Sequence, residues 1–125
     1  MEIDFYYVKN EYIDFLKKKE HDNRGFTCVP NTIYSSREKF LFGAVFEMNG
    51  INYYVPVSSK TKGRDNDILI SSPNKSEKIG SLRFQYMIPV PNKCLILLRI
   101  NNIPEEGQRQ RIRNELRFCR RNIHM

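Results

Sequence analysis

Cysteine is scarce and poorly placed for chemistry. Cys28, Cys94 and Cys119 are odd in number, widely spaced and without a CxxC pair, which excludes a disulfide framework and a cysteine-based zinc site. Reduced cysteines of this kind suit a cytoplasmic protein, each serving as buried filler. Long hydrophobic runs are missing too, since no apolar stretch approaches the ~20 residues that a membrane-spanning helix needs. The opening MEIDFYYVKN is acidic and aromatic, where a secretory signal has a basic start and an apolar centre. Histidine is limited to His21 and His124, one in a polar stretch and one beside the end, which favours surface residues over general bases. No GxxxxGK[ST] pattern occurs, so the lysines around Gly63 form no nucleotide-binding P-loop. Asp65 and Asp67 lack the companion ligands of a calcium loop. Internal repeats, low-complexity tracts and a linker to a second domain are absent as well.

Acid is in deficit, with 14 Asp and Glu against 21 Lys and Arg, a net charge of +7. Such a balance favours a polyanion as partner, nucleic acid first and an anionic membrane surface second. The excess is concentrated: residues 108–125 carry Arg109, Arg111, Arg113, Arg117, Arg120 and Arg121 against Glu115 alone. At 125 residues, 40% hydrophobic and 12% aromatic, the chain is expected to be one domain over 1–125 with a packed core.

Residues 4–9, DFYYVK, have the aromatic and β-branched bias of a strand. A helix is predicted over NEYIDFLKKKE, with Asn10 as N-cap and Tyr12, Phe15 and Leu16 at helical spacing. From His21 to Glu38 a long polar loop follows. In KFLFGAVFEMNGINYYVPVSS two apolar runs flank Asn49-Gly50, the preferred pair for a type I′ hairpin turn. Further strands are predicted at 67–71, 81–90 and 93–100, with Pro89 and Pro91 marking an edge or the end of pairing. Pro104 precedes a helix over 105–121 that turns Ile112, Leu116 and Cys119 or Phe118 inward and most arginines outward. The sum is an α+β fold: a compact, strongly bent antiparallel sheet or part-closed barrel with peripheral helices.

A two-residue turn at 49 and 50 predicts that Phe46 faces Tyr53 and Leu41 faces Ser58. Alternation then places Phe40, Phe42, Ala44, Phe46 and Met48 on a core face with Ile51, Tyr53, Val55 and Val57. Lys39 falls opposite Lys60 and diagonally beside Ser58, a reach of about 7–8 Å between Cβ atoms. Lys39, Ser58, Ser59 and Lys60 thus meet at the open end of the hairpin. Facing like charges are unfavourable, and a bound anion would relieve them. Tyr53 and Phe84 have rings that could stack bases, but core packing is the expected use.

FYYVKNEYIDFLKK, EKFLFGAVFEMNGINYYVPVSSKTK, GSLRFQYMIPVP and RIRNELRFCRRN together resemble the ToxN/AbiQ family of bacterial endoribonuclease toxins. The resemblance runs in order over nearly the whole chain, and its most specific piece is the hairpin. It implies a cytoplasmic toxin of a type III toxin–antitoxin system, with a role in phage defence. It also implies a metal-independent, sequence-preferring endoribonuclease that uses no cofactor and leaves a 2′,3′-cyclic phosphate. The implied partners are a small repeated antitoxin RNA, which inhibits the toxin and is processed by it, and cellular or phage RNA as substrate. A protein–RNA hetero-oligomer away from any membrane is implied with them. Matched by position, the family's catalytic lysine falls on Lys39 and its threonine-serine pair on Ser58 and Ser59. A further basic residue falls on Lys60 or Lys62, and the family's upstream tyrosine on Tyr34. Relatives often extend beyond the arginine-rich helix, whereas this sequence stops at Met125.

Cutting RNA without a metal requires activating the ribose 2′-hydroxyl and stabilising charge on the five-coordinate phosphate. Lys39, Ser58 and Ser59 carry the donors for the second task, and Lys39 is either base or electrostatic stabiliser. Tyr34, Lys60, Lys62, Arg64, Arg109, Arg113, Arg117, Arg120 and Arg121 are the expected RNA contacts, mostly through phosphates. Two alternatives stay open: a noncatalytic RNA-binding barrel, and a ribonuclease toxin inhibited by a protein.

Overall fold

The structure is a computed structural model that describes residues 3–24, 33–34, 37–38, 40–62, 67–74 and 76–123. Among the described residues, nine strands and two helices follow in the order β1 (Asp4–Val8), α1 (Asn10–Arg24), β2 (Ile33–Tyr34), β3 (Arg37–Glu38), β4 (Leu41–Met48), β5 (Ile51–Ser58), β6 (Ile68–Ser71), β7 (Lys78–Leu82), β8 (Ile88–Pro89), β9 (Leu95–Leu97) and α2 (Glu106–Asn122). Seven strands form one sheet in the order β6-β7-β5-β4-β1-β9, with β8 on the β5 edge not used by β4. Every pairing is antiparallel. The sheet does not close, so the bent-sheet expectation holds and the barrel is left open at β6 and β9. β2 and β3 form a separate two-stranded ladder.

The hairpin turns at Asn49 and Gly50, both at positive φ (53° and 80°), as a type I′ turn requires. Near the turn the expected pairs form: Met48 with Ile51, Glu47 with Asn52, Phe46 with Tyr53. Beyond them the register slips by two residues between Gly43 and Phe46, so that Leu41 faces Pro56 and not Ser58. The slip suits close packing: a Cβ on Gly43 would lie 2.5 Å from Cδ2 of Tyr54, so the strand meets that ring with its backbone. It also breaks the simple alternation of faces. Phe42, Val45, Val55 and Val57 enter one core cluster with Ile112, Leu116 and Cys119 of α2. Leu41, Ala44 and Tyr54 enter a second with Ile13 of α1, Ile88 and Val90. Both faces of the sheet are therefore covered, and the hairpin tip runs past them. Phe46, Met48 and Ile51, expected in the core, are 36%, 51% and 48% exposed.

Other boundaries moved. The first bonds of α1 run from the amides of Tyr12 and Ile13 to the carbonyl of Lys9, so Asn10 lies inside the helix and not at its cap. Its buried anchor is Ile13, while Phe15 is 53% exposed. The helix extends to Arg24, four residues into the expected loop. The strand expected over 81–90 is broken: β7 ends at Leu82, a 3₁₀ turn covers Phe84–Tyr86, and β8 resumes for two residues up to Pro89. The strand expected over 93–100 shrinks to β9 between 3₁₀ turns at Asn92–Cys94 and Ile100–Asn102. α2 forms as expected, with Ile112, Leu116 and Cys119 buried, and Glu115 buried beside them. Among the described residues, no helix is long and apolar enough to cross a membrane.

Candidate active site

β5 ends where its ladder with β7 ends, at the pairs Val57–Leu82 and Ser58–Ser81. The next amides turn back at once. Ser58 Oγ accepts the backbone N–H of Lys60 at 3.1 Å, a serine turn that reverses the chain without glycine. Residues 59–62 then cross β7 as a strap. Ser81 Oγ donates to the carbonyl of Lys60 at 2.8 Å, and Nη2 of Arg83 reaches the carbonyl of Lys62 at 3.4 Å. Arg83 also forms an ion pair with Asp67 through Nη1. Its own amide donates to the carbonyl of Pro56 at 3.0 Å, so the arginine is anchored on β5 as well.

The pair is withdrawn from solvent, with Arg83 and Asp67 side chains 11% and 0% exposed. Ser81 is fully buried. The strap above them is not: Ser58 is half-buried, and Ser59, Lys60, Thr61 and Lys62 are exposed. Three hydroxyls, of Ser58, Ser59 and Thr61, and the two lysines thus belong to a corner whose backbone is held from below. A serine oxygen that accepts an N–H still has its own proton to donate, so the turn leaves the Ser58 hydroxyl usable. Lys39 and Arg64 lie outside the described residues. Tyr34 is placed as the second residue of β2, and its side chain lies outside them too. Phe40, the residue after Lys39, accepts the amide of Val57 at 3.1 Å, so β4 is still beside β5 one residue before Ser58.

The arginines of α2 divide into two sets. Arg113, Arg117 and Arg120 line an open groove of about 600 Å³ with Arg99, Asn101 and, among the described residues, a single acid, Asp4. Arg113 Nη2 donates to Asn101. Arg120 donates to the carbonyl of Ile3 at 2.8 Å and pairs with Asp4 at 3.4 Å, which ties the last turns of α2 to the start of β1. Arg109 lies outside this groove and clasps the carbonyls of Ile103 and Pro104 at 2.6 and 3.2 Å, a brace for the helix start. Arg121 is exposed in the last turn. Of the two rings considered for stacking, Phe84 packs half-buried against the α2-side core, while Tyr53 stacks on Phe46 at 4.8 Å on the hairpin tip. No group of three or more metal-ligating side chains occurs among the described residues.

Ser81, Arg83 and Arg99 were not singled out from the sequence, and Asp67 was weighed only as a calcium ligand. A signal was present for two of them: Ser81 and Arg83 are polar at alternate positions of a predicted strand, which marks one face. Asp67 carried no signal of its pairing with Arg83, because that partner stands 16 positions away.

Comparison with known proteins agrees over the full length of this arrangement. Residues 4–125 match the family model for toxin ToxN of type III toxin–antitoxin systems. The endoribonuclease ToxN of Pectobacterium atrosepticum is 28% identical over 94% of this chain and 71% of its own length. The endoribonuclease AbiQ of Lactococcus lactis subsp. lactis is 29% identical over 81% of this chain and 58% of its own. The endoribonuclease ToxN of Bacillus thuringiensis subsp. kurstaki is 32% identical over 71% and 44%. Among solved structures, a type III system whose toxin is selectively inhibited by a non-coding RNA pseudoknot has a TM-score of 0.80 at 22% identity, covering 98% of this chain and 71% of that one. AbiQ, a lactococcal anti-phage endoribonuclease, has a TM-score of 0.80 at 23% identity, with 97% and 73% covered. The α+β sheet with its strap and arginine-rich helix belongs to an endoribonuclease toxin: the chain is a member of the ToxN family of type III toxin–antitoxin systems.

Proposed function

We propose that this toxin cuts RNA without a metal, at the corner formed by the end of β5 and the strap that follows it. The ribose 2′-hydroxyl gives up its proton, to Lys39 or to water, as its oxygen bonds to phosphorus; the bond to the 5′-oxygen breaks, and that oxygen takes up a proton. The products are a 2′,3′-cyclic phosphate and a 5′-hydroxyl. The observation that carries this reading is the reversal at Ser58, which gathers the Ser58 and Ser59 hydroxyls with Lys60 and Lys62 on one exposed corner. Ser58 and Ser59 donate to phosphate oxygens, and charge that develops on those oxygens is held by donors already in place. Lys39 contacts the reacting ribose or phosphate, supported by the 3.1 Å bond that keeps Phe40 beside Val57. Tyr34, Lys60, Lys62 and Arg64 contact RNA around the scissile linkage.

Arg113, Arg117 and Arg120 bind phosphates further along the strand, in the groove between α2 and the segment after β9. β5 and β9 are three strand steps apart in the sheet, a lateral separation of roughly 14 Å at about 4.8 Å per step. A single RNA molecule can occupy both places. Arg109 and Arg121 contribute to the positive field around the helix. The inhibitor is a small repeated RNA, which the toxin processes and with which it forms a protein–RNA hetero-oligomer, and the site of action is the cytoplasm. The solved relative inhibited by an RNA pseudoknot supports this partner class.

The test is incubation of purified protein with total bacterial RNA in excess chelator, followed by chemical mapping of the ends. Discrete fragments with cyclic phosphate and 5′-hydroxyl ends are expected, and Lys39→Ala should abolish them. RNA that is bound but left whole would make the chain a noncatalytic binder. Cutting that stops in chelator would overturn the metal-free reaction.

A further inference from the structure

We propose that Ser81 and Arg83 are positioning residues for RNA cutting, acting through the carbonyls of Lys60 and Lys62. The inference rests on the reading of the strap as part of the active site. Beyond Ser58 the paired backbone of β5 and β7 gives way to side chains. Ser81 holds the carbonyl of Lys60 at 2.8 Å and Arg83 that of Lys62 at 3.4 Å. The two donors are two residues apart, Ser81 on β7 and Arg83 one residue past its end, and so are the two carbonyls they hold. Both side chains reach the same strap, so the pair acts as a two-rung ladder built from side chains. Fixing two carbonyls two residues apart sets the rotation of the strap about its own length. That rotation decides where the lysine side chains leave it.

Three further features mark this floor as built for the task. A Cβ on Gly80 would lie 2.8 Å from the carbonyl oxygen of Ser58, so only glycine lets β7 come this close under the turn. Arg83 divides its planar fork, giving Nη1 to Asp67 and Nη2 to the strap. A guanidinium can serve both partners from one fixed plane, and a lysine ammonium cannot reproduce that geometry. Finally, the backbone amide of Arg83 is held by Pro56 at 3.0 Å, so the rung starts from the same strand that ends in Ser58. An exposed strap of four residues without such rungs would sample many rotations. A misplacement of about 1 Å at a reacting centre costs on the order of 10²-fold in rate.

The experiment measures kcat and KM on a short 5′-labelled RNA spanning a cut site mapped beforehand with the wild type. It compares Ser81→Ala, Arg83→Lys, Lys60→Ala with Lys62→Ala, and Ser81→Ala added to that lysine pair. Thermal melting of each variant establishes that it is folded under assay conditions. Ser81→Ala should lower kcat by about 10- to 100-fold while KM changes by less than about 3-fold. Arg83→Lys, which keeps the charge opposite Asp67, should fold and show the same split. With both strap lysines removed, Ser81→Ala should cost less than about 3-fold more, because nothing remains for the ladder to aim. Wild-type kcat in folded Ser81→Ala and Arg83→Lys, with the lysine variant impaired, would overturn the positioning role and leave the active site standing. So would a Ser81→Ala loss that adds in full to that of the lysine variant. Wild-type kcat in the lysine variant would instead remove the strap from the active site.

Discussion

Glu115 is 3% exposed on α2, facing β7 where a Cβ on Gly80 would come within 3.1 Å of its Oε2. Burial pushes its carboxyl up from 4.5 to about 7, with Arg111 at 3.5 Å pulling the other way. A buried acid with a raised pKa holds its proton more tightly folded than unfolded. Stability from this group is full below pH 4.5, falls as pH rises toward 7, and is flat above it. The span corresponds to about 3 kcal/mol. Urea unfolding should therefore give a higher midpoint at pH 5.5 than at pH 8, and Glu115→Gln should flatten the difference. Gly43 offers a second test. An added methyl would meet the Tyr54 ring at 2.5 Å, so Gly43→Ala should lower stability by about 1–3 kcal/mol. Glu115 was legible in part, since it stands three residues after Ile112 and one before Leu116, on the face the spacing turns inward. From the sequence it stood out only as the single acid among the arginines of residues 108–125.

Among the elements, the hairpin divides what a sequence can tell from what it cannot. Asn49-Gly50 set the turn and the three pairs nearest to it, because turn chemistry is local. The two-residue slip at Gly43 depends on the Tyr54 ring packing against β4, a contact that strand alternation does not contain. The consequence is measurable in two phenylalanines of the same strand. Phe42 is fully buried while Phe46 is 36% exposed. Phe42→Ala should cost about 3–5 kcal/mol in chemical denaturation, and Phe46→Ala under about 1.5 kcal/mol, the loss of its stacking on Tyr53. α2 was legible to within a residue at each end, its apolar positions recurring at a steady spacing. The segment 81–90 was not, because Arg83 leaves the ladder to hold Asp67 and the strap, and β7 stops one residue before it.

At the scale of the whole molecule, the net charge is +7, with exposed lysines on the strap and four arginines lining the groove beside α2. RNA binding should weaken steeply with salt. For an RNA whose 2′-hydroxyls are methylated and which cannot be cut, Arg113→Gln with Arg117→Gln should shrink the log–log salt slope by about 1–2. An unchanged slope would mean that the groove holds no phosphates. The partner class was readable from charge, and the serine pair from its place after the hairpin. The pairings of Ser81, Arg83 and Asp67 were hidden because the partners lie 16 to 21 positions apart in the chain. The central claim is that the hydroxyls at the end of β5 hold the phosphate while it is cut. Single-turnover cutting of a labelled RNA in chelator by Ser58→Ala with Ser59→Ala tests it most directly. The rate should fall by about 10²-fold or more in a protein that still folds and binds RNA, whereas a rate equal to wild type would contradict the account.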